Sequence, residues 1–187
     1  IFYYSTWRGK IRLKQHALLA KSLIYMDDPE LAQDVLINFP KKDAGSILQY
    51  WSLMAYVYYL LKDEADLIRC KEEAAKVRLN VGSTGVMIQS EENRAIQNKV
   101  DLMNGELNTA KKYYLHALKQ AKFPFQQVDA SYYIGLISFV EEDYSLATLY
   151  FNKVVDFGNK ISFVEKAKKY LSMMEDKQID TKEEMMS

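Results

Sequence analysis

Gly105-Glu106-Leu107-Asn108-Thr109-Ala110-Lys111-Lys112-Tyr113-Tyr114-Leu115-His116-Ala117 returns in altered form as Glu142-Asp143-Tyr144-Ser145-Leu146-Ala147-Thr148-Leu149-Tyr150-Phe151-Asn152-Lys153-Val154, 37 positions later. Each copy has a tight turn, then a small residue (Ala110, Ala147), an aromatic four later (Tyr114, Phe151), and a small or branched residue three after that (Ala117, Val154). Positions i, i+4 and i+7 share one face of a helix. The small residue admits a neighbouring helix at close range and the aromatic fills the space beyond it. All six are expected in the core.

Working outward, Ser131, Ile134, Gly135 and Ser138 form the packing face of the helix before the second turn. An earlier pair of sets matches at 35 residues: His16, Leu19, Ala20, Leu23 and Trp51, Met54, Ala55, Tyr58. A recurrence near a period of about 34 residues marks stacked helical hairpins. The chain resembles the tetratricopeptide repeat family, with degenerate repeats, most clearly over residues 105 to 157. That resemblance implies an all-α fold, an α-solenoid of antiparallel hairpins ending in a capping helix. It also implies a non-enzymatic scaffold for a protein or peptide partner.

In that family the first helix of each hairpin lines a concave groove. Carried onto this chain, the resemblance implies groove residues Gln49, Ser52, Tyr56 and Tyr59 in the third helix. It implies Asp129, Tyr132, Leu136 and Phe139 in the best-defined repeat. In the hairpin around Gly105 the expected packing positions hold Arg94, Gln97, Asn98 and Asp101, which cannot form a core. Shifting that helix by one residue restores Ile96 and Val100 to packing positions, with one extra residue in the turn near Asn104. The shift places Arg94, Asn98 and Asp101 in the groove.

Punctuation divides the chain accordingly. The first helix is expected over 10–26 and ends at Asp27-Asp28-Pro29, where Asp28 caps and Pro29 opens the next helix. Pro40 stops the second helix. Asp43 or Ser46 caps a third over 47–61, apolar nearly all round, and a fourth runs over 64–79. Asn80-Val81-Gly82-Ser83-Thr84-Gly85 is a connector, since no lysine follows it and no strand precedes it, as a phosphate loop requires. Helices over 86–104 and 108–122 precede Phe123-Pro124-Phe125. The final helix, over 161–174, puts Phe163, Ala167, Tyr170, Leu171 and Met174 on one side. The expected organisation is a membrane-proximal stub at 1–9, a repeat domain at 10–174 and a polar tail at 175–187.

Composition limits the chemistry. The chain has 187 residues, three prolines, seven glycines and a formal net charge of zero, so no global field draws it to nucleic acid. The single Cys70 excludes an internal disulfide framework and reads as a small buried filler. His16 and His116 lack carboxylates or thiols at ligand spacing on their own helices, so no metal or other cofactor is expected. Adjacent carboxylate pairs such as Glu91-Glu92 point in different directions on a helix. No catalytic residues are assigned.

The first residue is not methionine, so the numbering is expected to begin inside a longer protein. Ile1 to Trp7 is apolar and aromatic, and Arg8, Lys10, Arg12 and Lys14 follow, with no acid before Asp27. That order suits the cytoplasmic exit of a membrane-spanning segment upstream of Ile1, giving a cytoplasmic domain anchored at the inner membrane face. The competing reading is an ordinary first helix with Ile11, Leu18, Leu19 and Leu23 packed inward. Two further functions stay open: the peptide-sensing domain of a bacterial transcriptional regulator, and a self-assembly module that dimerises through an exposed apolar face.

Overall fold

The computed structural model describes the backbone of residues 2–77, 83–157 and 162–186, and the side chains of 12–77, 91–157 and 162–176. Among these residues, positive φ occurs at Asp27 (64°), Lys62 (58°), Gly105 (75°) and Glu142 (61°). Each ends a helix in the same way. The amides of Asp28, Asp63, Glu106 and Asp143 donate to the carbonyls of Leu23, Tyr58, Asp101 and Ser138 at 2.8–3.0 Å. The amides of the left-handed residues themselves donate to Ile24, Tyr59, Leu102 and Phe139. This paired closure satisfies the last carbonyls of a helix. Asp28, Asp63 and Asp143 then cap the following helices through Leu31, Asp66 and Leu146. Four helix ends among the described residues therefore share one hydrogen-bonding plan.

The helices between the turns are α1 (Phe2–Tyr25), α2 (Pro29–Ile37), α3 (Ala44–Leu61), α4 (Glu64–Lys76), α5 (Ser83–Met103), α6 (Leu107–Gln120), α7 (Pro124–Val140), α8 (Tyr144–Asp156) and α9 (Ser162–Met186). The described residues contain no strand, and neighbouring helices pack on one another, so the fold is all-α. Asp43 and Ser46 do not compete for the α3 cap. They form a reciprocal capping box, Asp43 Oδ1 accepting from the Ser46 amide and Ser46 Oγ from the Asp43 amide. Gln126 likewise reaches back to the amides of Lys122 and Phe123 at the start of α7.

Two helices are longer than expected. α1 begins at Phe2, so residues 2–9 are helical, because one internal glycine at position 9 lowers helix stability by only about 1 kcal/mol. α9 continues to Met186, because residues 175–186 contain no glycine or proline and are rich in good helix formers.

The chain divides into two compact units, Ile1–Glu106 and Leu107–Ser187. In the first, α1 packs against α2 and α3, α3 against α2, α4 and α5, and α4 against α5. In the second, α7 packs against α6, α8 and α9, and α8 against α9.

Counting from the turns shows why the pattern packs. Five residues after each left-handed residue stand Ala32, Leu67, Ala110 and Ala147, all fully buried. Seven residues before it stand Ala20, Ala55, Asn98 and Gly135. Gly135 is needed there: a Cβ would lie 2.9 Å from two ring atoms of Phe151, a buried ring stacked on Tyr170. Of the six residues expected in the core, Ala110, Tyr114, Ala147, Phe151 and Val154 are buried. Ala117 is only half-buried. Cys70 is fully buried as a filler; burial, with Asp66 nearby, pushes its thiol up to about 12.

Candidate functional site

On α3, Gln49, Ser52, Tyr56 and Tyr59 follow one another at spacings of three, four and three, forming a single half-buried stripe. α5 lies beside it. The Lys99 ammonium sits 3.7 Å above the centre of the Tyr56 ring and 5.3 Å from that of Tyr59. Ser52 hydrogen-bonds the Glu92 carboxyl, and Lys21 on α1 exerts attraction on the same group. Tyr25 meets Tyr56 edge-to-face at 6.5 Å. The first helices of three successive hairpins thus contribute to one polar and aromatic cluster within the first unit.

Its electrostatics are unbalanced by burial. Glu92 titrates above the ordinary carboxylate range because desolvation outweighs the Ser52 hydrogen bond and the Lys21 charge, with Glu91 adding repulsion. Lys99 is almost fully buried, and the tyrosine faces stabilise its charge there.

The α5 contribution differs from the sequence expectation. The turn at Gly105 has the same bonds as the other three, so it contains no extra residue and the one-residue shift does not occur. Asn98 does not line an open stripe. It is 2 % exposed at the position held elsewhere by Ala20, Ala55 and Gly135, and neither amide atom has a hydrogen-bond partner among the described residues. Arg94 is exposed, and Asp101 accepts a 2.7 Å hydrogen bond from Gln97 on its own helix. Counting back equally from each turn places Lys21, Tyr56, Lys99 and Leu136 at one hairpin position, and Gln49, Glu92 and Asp129 at another. Lys21, Glu92 and Lys99 were therefore detectable from spacing, and the assumed insertion concealed them.

The second unit also departs from the expectation. Tyr132 is 6 % exposed and stacks on Phe163 of α9 at 4.6 Å. Phe139 meets Tyr170 of α9 at 4.9 Å. These rings join α7 to α9 and are not open anchors, so Tyr132→Ala would remove core packing. Asp129 and Leu136 are half-buried.

Arg12 and Lys14 are exposed on α1, whereas the side chains of Arg8 and Lys10, like that of Ile11, lie outside the described residues. Leu18 and Leu19 do not pack inward; they are 65 % and 51 % exposed, while Leu23 is buried. His16 is half-buried, its Nδ1 2.7 Å from the Arg12 carbonyl, and His116 is exposed. Among the described residues, no cluster of three or more His, Cys, Asp or Glu side chains could hold a metal ion, and no helix is long and apolar enough to cross a membrane. The chain matches no family model, no curated protein and no solved structure.

Proposed function

We propose that the chain is a non-enzymatic scaffold of tetratricopeptide-like hairpins that binds a protein or peptide segment along the first helices of its first unit. The observation that supports this most directly is the row of half-buried residues formed by Lys21 on α1, Gln49, Ser52, Tyr56 and Tyr59 on α3 and Glu92 on α5, with the buried Lys99 ammonium held against Tyr56. Glu92 and Ser52 are joined within this row. A row running across successive helices suits an extended segment, whose backbone can bond Gln49 and the tyrosine hydroxyls while its side chains contact the rings.

Peptides selected from a random displayed library against the folded chain test the proposal. Tyr59→Ala and Gln49→Ala alter half-buried residues of the stripe. Each is expected to weaken a selected peptide at least fivefold, which corresponds to about 1 kcal/mol, with an unchanged helical spectrum. A library that yields no binder, or binders indifferent to both substitutions, overturns the proposal.

A further inference from the structure

The exposed leucines of α1 stand at positions where the later first helices bury every apolar residue, Gln97 alone being half-buried there. Nine residues before the left-handed turn residue come Leu18, Leu53, Ile96 and Tyr133; the last three are at most 5 % exposed. Eight before it come Leu19, Met54 and Ile134, and only Leu19 is exposed. The physical difference is a covering helix. α2 packs on α3, α4 on α5 and α6 on α7, whereas α1 packs against α2 and α3, so among the described residues this face has no helix like the one that covers its counterparts. The face continues onto α2, where Leu31 is 46 % exposed. Between α1 and α2 lies an open groove of about 390 Å³ lined by Gln15, His16, Leu19, Asp34, Val35 and Asn38.

We infer that this face pairs with the same face of a second copy of the chain, in a two-fold dimer that sets α1 against α2 of the other copy. Charge selects this occupant. Among the described side chains of α1, Arg12 and Lys14 are exposed, and the helix has no acidic residue. α2 carries Glu30 and Asp34 and no basic residue. Two-fold pairing brings opposite charge together twice, once on each side of the axis. The apolar part matches as well, since the protruding Leu18 and Leu31 of one copy face the groove of the other. An anionic membrane would attract α1 but repel Glu30 and Asp34 on the adjoining helix. The face is short, so the dimer is weak, with a dissociation constant on the order of 1–100 µM.

The test is sedimentation equilibrium of the 187-residue chain across that concentration range. The wild type is expected to dimerise, more weakly at high salt. Leu18→Glu with Leu19→Glu is expected to weaken the dimer at least 30-fold, leaving the helical spectrum and melting temperature unchanged because both residues are exposed. A charge exchange adds geometry. Chains carrying Glu30→Lys with Asp34→Lys, and chains carrying Arg12→Glu with Lys14→Glu, should each stay monomeric alone and pair when mixed. A wild type that remains monomeric overturns the inference, as does a dimer indifferent to the leucine substitutions. So does a monomer that pellets with phosphatidylserine vesicles. The Tyr56 and Lys99 surface takes no part in this pairing, so loss of one proposal leaves the other standing.

Discussion

Three residues of this chain break a rule that their neighbours obey, and each break has a measurable consequence. Gly135 is a helix-interior glycine, which ordinarily weakens a helix by about 1 kcal/mol, but the Phe151 ring occupies the space a methyl group would need. Gly135→Ala should lower the melting temperature, because overpacking of roughly 1–3 kcal/mol exceeds the gain in helix propensity. Adding Phe151→Leu should relieve the contact, so the two losses measured by thermal denaturation will be less than additive. Asn98 is the second case. Its amide is buried without a partner among the described residues, at a position where two other hairpins hold alanine. Asn98→Ala is expected to stabilise the chain by roughly 1 kcal/mol, about 2–4 °C in melting temperature; a lower melting temperature would show that the amide is paired. The third is Glu92. Its carboxyl is raised mainly by burial, so the folded state favours its protonated form. That contribution is fully present below the unfolded value and is lost as pH rises through the folded one. Glu92→Gln should therefore melt higher than wild type at pH 7, and the gap should close as pH falls toward 4.5, the ordinary glutamate value.

At the scale of elements, the turns control the register. Among the described residues four helices end on a left-handed residue, and one of the four is glycine. No atom lies within 4 Å of a Cβ built at Gly105, so Gly105→Ala should cost roughly 1 kcal/mol through backbone conformation alone. Lys62→Gly at the equivalent place should stabilise by about 0.5–1 kcal/mol, because it removes the same strain. Urea denaturation of the two variants checks both signs, and a destabilised Lys62→Gly would show that the lysine side chain makes a compensating contact. The turns also explain the misplaced stripe on α5. Apolar periodicity alone favoured a shift that buried Ile96 and Val100. Both residues are buried without any shift, because the Asp101–Glu106 hydrogen bond holds α5 in the common register.

At the scale of the whole molecule, each of the two units has its own buried set. The first gathers Ala20, Leu36, Leu48, Ala55, Val57 and Leu67, and the second Tyr114, Tyr133, Ile137, Phe151, Phe163 and Ala167. The second unit, residues 107–187, expressed alone is expected to give a helical circular dichroism spectrum and a cooperative melt. A featureless spectrum would show that its helices depend on the rest of the chain. Within this unit Ala147→Leu should cost roughly 1–3 kcal/mol by overpacking a fully buried site.

The sequence by itself determined that the chain is helical, where its hairpins turn, and that Ala110, Tyr114, Ala147, Phe151 and Val154 pack inward. Those properties are local: they follow from spacing on one helix face, from aspartate caps and from proline and glycine punctuation. Tertiary structure alone decided which surfaces stay open. Tyr132 and Phe139 read as exposed anchors until α9 supplies Phe163 and Tyr170 to cover them. Leu18 and Leu19 pack inward if α1 is read as an ordinary first helix, yet they remain exposed while Leu53 and Met54 of α3 are core. A side chain's face on its own helix follows from a period of 3.6 residues, but its burial depends on whether another helix packs over that face.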